Sequence, residues 1–266
     1  MAYTKAGFTV KNGVATIEMN APDTLNPLDL KMAQDLSKAF ETCEQHEDVK
    51  VIVLTGAGRV FSGGGDIRYM MDEVEAGNFD IGPLVRTLTA LTQRLRQYSK
   101  PVLCAVQGAA AGGGCNLALA CDMIYAEEKA QFMQAFVNIG LTPDTGGAYI
   151  LPRLIGRTRA FELFATGRPL SAPEMYDLGL ITKVTKNGEV LEETMKMAEK
   201  LAAGPSLVYK GIKELLWQSS FPDFDAFMMA EAAIQVRSTK SDDFVEGIRA
   251  FLEKRPARFK GRSEER

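Results

Sequence analysis

Two strand-like apolar runs, each ending in a glycine-rich turn and each followed by a helical pattern, constrain this chain more than any other feature. Val49-Lys50-Val51-Ile52-Val53-Leu54 precedes Phe61-Ser62-Gly63-Gly64-Gly65-Asp66, and Val102-Leu103-Cys104-Ala105-Val106 precedes the turn running from Gly108 to Asn116. A strand, a glycine loop and a helix start leave free backbone N–H groups at one place, and glycine lets that backbone approach a ligand or take positive φ. Two such loops can aim two N–H groups at one oxygen, which is an oxyanion hole. Either loop alone is more often a tight turn. Neither fits G-x-x-x-x-G-K-[ST] or an in-register G-x-G-x-x-G, so chemistry on a carbonyl fits better than nucleotide phosphates.

The chain has 266 residues, enough for one large domain or a domain with an appendage. A net charge of −3 and a pI near 5.5 give no nucleic-acid footprint. The four cysteines form no C-x-x-C pair, which points to free thiols in a reducing, cytoplasmic setting. The single histidine, His46, ends an amphipathic helical pattern, and with no second histidine a metal site is not expected. Residues 101–121 carry no charge, but four glycines, Gln107 and Asn116 break the run. It reads as strand, loop and buried helix rather than as a membrane span. The N-terminus has no signal-peptide or transit pattern.

In chain order, Phe8–Val10 and Val14–Met19 alternate about Asn12-Gly13 and predict a hairpin. A helix follows from Leu28 to about Gln45. Ile67–Gly82 reads as a short surface helix or a mobile lid, and Leu84, Leu88, Leu91 and Leu95 recur at helical spacing. Phe132–Thr142 is apolar and ends in Pro143-Asp144-Thr145-Gly146-Gly147. Helices are expected near 147–155 and 157–166, a capped short helix at Ser171-Ala172-Pro173-Glu174, and a strand at Leu180–Val184. After Gly188 four helices are expected. Their apolar residues, among them Phe224, Phe227, Met228 and Met229, predict burial against a neighbouring subunit. The boundary falls at Gly204-Pro205, giving an α/β core over 1–203 and a helical oligomerisation region over 204–266.

These residues carry a resemblance to the crotonase (enoyl-CoA hydratase/isomerase) superfamily over essentially the whole chain. The matching segments are Asn20-Ala21-Pro22…Leu25-Asn26, Phe61–Ile67, Ala105-Val106-Gln107-Gly108, Gly112–Asp122, Gly140–Gly147 and Phe251…Phe259-Lys260. The resemblance implies a spiral of ββα units with a C-terminal helical trimerisation region, an acyl-CoA thioester substrate, and no cofactor beyond that coenzyme A. It implies a homotrimer or dimer of trimers, with no nucleic acid, membrane or metal partner. It places the oxyanion N–H groups at Gly65 and Gly113. Ala21, Ser62, Gly63, Gly64, Ile67 and Gly112 then belong to the substrate site, and Asp66 to its ordering. Met70 and Phe136 would form the apolar pocket together with Met71, Phe79, Leu84 and Phe132. Arg59, Arg68, Phe259 and Lys260 would meet the coenzyme, the last two across a subunit boundary.

Family hydratases carry glutamates at the positions of Asn116 and Phe136, and both are absent here. Asp144 remains, in a Pro-Asp-x-Gly-Gly pattern similar to that of single-aspartate isomerases such as the epoxyphenylacetyl-CoA isomerases. One carboxylate can remove a proton at one carbon and return it two carbons away. A helix N-cap is the structural alternative for Asp144. Other chemistries left open are hydration, aryl-CoA dehalogenation and a catalytically silent partner subunit. The expected ionisation of Asp144 lies above the free value because Phe136 and Ile139 are apolar.

Overall fold

The structure is a computed structural model and describes residues 3–220 and 223–258. It opens on a hairpin of β1 (Ala6–Lys11) and β2 (Val14–Met19). Asn12 and Gly13 both take positive φ, 52° and 77°, as a two-residue hairpin turn matched to strand twist requires. The strands β3 (Val51–Gly56), β4 (Val102–Val106), β6 (Met123–Glu127) and β9 (Lys183–Thr185) continue the sheet in parallel beside β2, in the order β1-β2-β3-β4-β6-β9. Every residue of β3 and β4 is buried, which is why these strands read as unbroken apolar runs rather than as alternation. Ile52, Leu54, Cys104 and Val106 face the main core, and Val51, Val53, Leu103 and Ala105 form a second layer with Val190 and Ala198.

The core is completed by α1 (Leu30–Gln45) and α3 (Gly82–Gln97), and the outer layer by α8 (Val190–Ala202). Helix α1 starts two residues later than its apolar pattern, because Asp29 caps it by accepting the Met32 N–H at 2.8 Å. The first glycine loop leads into α2 (Ile67–Glu75) and the second into α4 (Gly113–Leu119). Beyond them come α5 (Gly147–Ile155), α6 (Arg157–Thr166) and α7 (Ala172–Asp177), the last capped by Ser171. The chain then continues through α9 (Ser206–Ser220), α10 (Phe224–Ser238) and α11 (Asp242–Leu252).

A second sheet, absent from the sequence reading, joins β5 (Ala109–Ala111), β7 (Gln131–Met133) and β8 (Pro169–Ser171). Three-residue strands carry too little periodicity to announce themselves. Residues 101–121 become β4, β5 and α4, and among the described residues no helix is long and apolar enough to cross a membrane. Residues 67–75 are a helix. The expected strand at Leu180–Val184 shrinks to Lys183–Thr185, and the apolar 132–142 segment contains β7 followed by a 3-10 turn over Ala135–Ile139.

The C-terminal helices only partly match the expected subunit-facing surface. On α10, Phe224 and Met228 are buried within this chain, with Phe224 edge-on to Tyr149 and to Trp217 at 4.9 Å. On α11, Phe244 and Ile248 close a cluster with Met70, Phe136, Ile139 and Leu141. The apolar surface left exposed is concentrated on α9, at Leu207, Leu215 and Leu216.

The turn at Gly108 joins the two sheets. Its φ is +61°, and a Cβ there would run into the Arg59 carbonyl. At Gly77, with φ +73°, a Cβ would meet nothing within 4 Å. Gly77→Ala should therefore cost only the left-handed backbone penalty of about 1–2 kcal/mol. Gly108→Ala should add an overpacking penalty of about 1–3 kcal/mol. Urea unfolding of the two variants measures the difference, and equal losses would contradict the close approach.

Candidate active site

The first glycine loop is fixed by the Asn20–Asn26 segment. Asn26 is fully buried. Its Oδ1 accepts the Ala21 N–H at 2.9 Å, and its Nδ2 donates to the carbonyls of Ala57 and Val60 at 2.8 and 2.9 Å. Ser62 Oγ donates to the Asn26 carbonyl at 2.8 Å and accepts the Gly64 N–H at 3.2 Å. The two glycine loops are then tied to each other through the backbone. Ser62 N–H donates to the Ala109 carbonyl at 3.0 Å, and Ala111 N–H returns a bond to the Ser62 carbonyl at 2.9 Å. Gly114 has to be small here, because a Cβ on it would lie 2.6 Å from Ser62 Cβ.

This interlock brings Gly65 and Gly113 to one cavity of about 100 Å³, with Gly63, Gly64 and Gly112 beside them. Among the described residues, neither the Gly65 nor the Gly113 N–H donates to any protein group. Both are thus available to an oxygen placed between them, as an oxyanion hole requires. Apart from Asn138 and Asp144, the remaining wall is apolar and includes Leu28, Ile67, Met70, Leu84, Phe136, Ile139 and Phe251. Asp144 is the only ionisable side chain that lines it among the described residues. A Cβ at Gly113 would stand 3.7 Å from Asp144 Oδ1, so the carboxylate and the second N–H are neighbours.

Asp144 is buried, and desolvation pushes its carboxyl up to about 6. Hydrogen bonds oppose this rise without cancelling it. Thr145 Oγ1 donates to Oδ1 at 2.8 Å and Gln235 Nε2 donates to Oδ2 at 3.1 Å. The Gln235 amide is itself oriented, since its Oε1 accepts the Thr142 hydroxyl at 2.9 Å. The Asp144 carbonyl accepts Asn116 Nδ2 at 2.8 Å, and Asn116 Oδ1 accepts Gln134 Nε2 at 2.7 Å. Asn116 fits because residue 147 is glycine; a Cβ there would collide with the Asn116 amide. Thr145, a β-branched residue, sits at φ +53°, a conformation that costs about 1–3 kcal/mol and clusters at functional sites.

The helix-cap alternative for Asp144 does not describe this loop. The N-cap of α5 is Gly146, with no side chain of the preceding loop bonded to it. The Gly146 N–H is taken instead by Glu231 Oε2 from α10, at 2.8 Å.

Other sequence-predicted residues fall into place differently. Gly63, Gly64, Gly65, Ile67, Met70, Gly112, Gly113, Phe136 and Asp144 line the cavity, whereas Ala21 and Ser62 support the first loop from behind. Asp66 caps α2, accepting the Tyr69 N–H at 3.1 Å. Arg59 and Arg68 are exposed and do not line the cavity. Phe132 points into the main core rather than the pocket, because β7 turns it inward, and Met71 and Phe79 pack behind the wall without lining it. Phe259 and Lys260 lie outside the described residues. His46 sits at the exposed C-terminal end of α1. Sequence reading missed Thr142, Thr145, Gln235 and Glu231. A signal existed for the last two: Glu231 and Gln235 are one turn apart in the otherwise apolar stretch from Phe227 to Val236.

A parallel-rich sheet thus carries two interlocked glycine loops whose uncommitted N–H groups share one cavity with a buried carboxyl. The sequence model of the enoyl-CoA hydratase/isomerase family matches residues 9–262, and the chain belongs to that family, within the crotonase superfamily. It is 36% identical over 265 residues to a trans-2-decenoyl-[acyl-carrier-protein] isomerase of Streptococcus mutans, covering 98% of this chain and 100% of that one. It is 35% identical over 254 residues to a 1,2-epoxyphenylacetyl-CoA isomerase of Escherichia coli, covering 95% and 97%. The crystal structure of an enoyl-CoA hydratase from Mycobacterium avium subsp. paratuberculosis superposes with a TM-score of 0.88 at 32% identity, covering 97% of this chain and 100% of that one.

Burial of Asp144 has a consequence for stability. Its folded ionisation lies near 6, above the unfolded value of about 3.9, so the folded state holds this proton more tightly. The stability it contributes is complete below about pH 4 and is lost as pH rises through about 6, on the order of 2–3 kcal/mol in total. Asp144→Asn removes that dependence. Its stability relative to the parent should rise by this amount between pH 4 and 6 in chemical unfolding, and a constant difference would mean that Asp144 is not desolvated.

Proposed function

We propose that this chain is an enoyl-thioester isomerase that moves a double bond by a 1,3-proton transfer through an enolate. The observation that carries the reading is the single carboxylate, Asp144, in a cavity that two free backbone N–H groups share. Asp144 in its ionised form takes a proton from the carbon beside the unsaturation. Negative charge then develops on the thioester oxygen, between the Gly65 and Gly113 N–H groups; losing one such donor typically costs about 10²–10³ in rate. The protonated Asp144 returns the proton two carbons away, so no second acid is needed. An ionisation near 6 suits a group that must act as base and then as acid near neutral pH.

Hydration draws less support. It is helped by one group that activates water and another that handles the proton, and the positions of the two family glutamates are Asn116, committed to the Asp144 carbonyl, and Phe136, part of the apolar wall. Dehalogenation through an aspartate nucleophile would call for a histidine base, and no histidine lines the cavity among the described residues.

The carrier of the thioester is the open part of the substrate. Coenzyme A is the family's substrate class, and the Streptococcus mutans relative is named for an acyl-carrier-protein thioester. A trimer-based assembly is also part of this reading, supported by the apolar surface of α9 at Leu207, Leu215 and Leu216. Sedimentation at micromolar concentration should show it, and a stable monomer would refute it.

The central test is Asp144→Asn on a panel of 2-enoyl and 3-enoyl thioesters of coenzyme A and of acyl carrier protein, in heavy water. Isomerisation and deuterium incorporation should fall by at least about 10²–10⁴, while thioester affinity stays within a few-fold. Near-normal turnover by the variant would remove Asp144 from the chemistry. Hydration of 2-enoyl thioesters by the parent protein as fast as any isomerisation would return it to the hydratases.

A further inference from the structure

A second buried carboxyl stands behind the first. Glu231 is only 5% exposed, and it reaches from α10 into the loop that carries Asp144. One of its oxygens, Oε2, accepts the Gly146 N–H at 2.8 Å, two residues past Asp144. The other, Oε1, is buried without a hydrogen-bond partner among the described residues. One turn further along α10, Gln235 is fully buried and donates to Asp144 Oδ2. A single helix therefore delivers two polar side chains to the Asp144 turn, one to its carboxylate and one to the backbone two residues further on.

We infer that Glu231 is a positioning residue for Asp144: it occupies the loop as a neutral carboxylic acid, so that the two side chains hold one proton and one negative charge between them, with the charge on Asp144. The inference rests on the isomerase reading for the role of Asp144, but its physical content does not. A glutamine would satisfy the Gly146 N–H equally well, so backbone support alone does not explain an acid here. An ionised carboxylate with one unpartnered buried oxygen is strongly disfavoured, whereas the neutral acid carries no charge to desolvate and still accepts the Gly146 N–H. Like charges on the same buried turn cannot both form cheaply, and such pairs titrate in two steps that belong to the pair. Both shifts run the expected way. Burial, and then the Asp144 charge, push Glu231 up to about 8, above the value of about 6 for Asp144.

Among the described residues, no cation pairs with Glu231. Helix α10 packs on α3 and α5. On α3, Arg94 pairs with Glu41 at 3.0 Å, Arg96 reaches the Ala120 carbonyl, and Arg86 lies against Gly82. On α5, Arg153 lies over the Tyr149 ring. Within α10, Asp225 accepts from Gln93 of α3. The charge that acts on Glu231 is that of Asp144. The proton held by Glu231 is thus the condition under which Asp144 ionises near neutrality: an ionised Glu231 would hold Asp144 protonated, and the cavity would lack its base.

The test is a carboxyl ¹³C NMR titration of the full chain without substrate, with side-chain-labelled aspartate and glutamate, in the parent, Asp144→Asn and Glu231→Gln. Two buried carboxyls should titrate above the ordinary range, Asp144 first. Asp144→Asn should lower the Glu231 transition by at least one pH unit, a tenfold loss of proton affinity, because its charged neighbour is gone. Glu231→Gln should abolish the upper step, and with it any upper inflection in the pH–rate profile. A Glu231 signal that titrates in the ordinary carboxylate range, or a raised one that Asp144→Asn does not move, would overturn the inference. If the transitions are linked while Asp144→Asn turns over normally, the carboxyl pair stands and the isomerase reading falls. If Asp144→Asn is inactive but the transitions are independent, the reverse holds.

Discussion

The site depends on one short exchange of backbone hydrogen bonds, the pair that joins Ser62 to Ala109 and Ala111. Each glycine loop follows a different strand of the main sheet, and nothing local to either loop determines where the other lies. The Ser62 bridge makes them neighbours, and the small size of Gly114 lets them close to contact. Two N–H groups can then point at one space. A preorganised pair of donors needs no reorganisation when charge develops, which is what makes it worth more than the same groups in water. The buried Asn26 amide serves the same end, because it holds the loop from behind through bonds to the backbone of Ala21, Ala57 and Val60.

Burial decides the chemistry of Asp144. Two side-chain hydrogen bonds favour its charged form, yet desolvation outweighs them and the carboxyl rises. In the open, the same bonds would hold it below the free value. The wall that withdraws the solvent comes from widely separated parts of the chain: Phe136 and Ile139 from the 3-10 turn, Leu28 ahead of α1, and Phe251 from α11. The C-terminal helices are therefore part of the cavity wall and of the surroundings of Asp144, and not merely an appendage. α10 supplies Gln235 and Glu231, and α11 supplies the apolar cover.

What could be read from the sequence follows from how local each determinant is. The hairpin at Asn12-Gly13, the buried strands and the four C-terminal helices depend on nearest-neighbour periodicity and turn chemistry, and they were legible within a few residues. Gly65, Gly113 and Asp144 were named through motifs, and the structure brings all three to one cavity. The three-stranded second sheet was not legible, because its strands are three residues long and pair across intervals of about 20 to 40 residues. Nor was the destination of Phe132, since apolar residues on the two faces of a short strand look alike in sequence. The Thr142–Gln235–Asp144 chain was hidden for a further reason. Gln235 lies more than 90 positions from both of its partners, and a glutamine in a helix has many ordinary explanations.

Asn116 shows how the loss of one carboxylate and the use of another are linked. An acid at this position would face the Asp144 carbonyl and repel it. The amide instead donates to that carbonyl with Nδ2 and accepts from Gln134 with Oδ1, so both of its ends are satisfied. The space that Gly147 leaves is filled by this amide. That contact anchors the Asp144 turn on one side, as Glu231 anchors it on the other through Gly146. The left-handed Thr145 lies between the two anchors. A β-branched residue holds that conformation only when its surroundings over-determine it, and here they do. Its hydroxyl is committed to Asp144, the residue before it is held by Asn116, and the residue after it by Glu231. The strain at Thr145 is thus the local cost of aiming one carboxylate into the cavity, and it is sustained by side chains from α4 and α10.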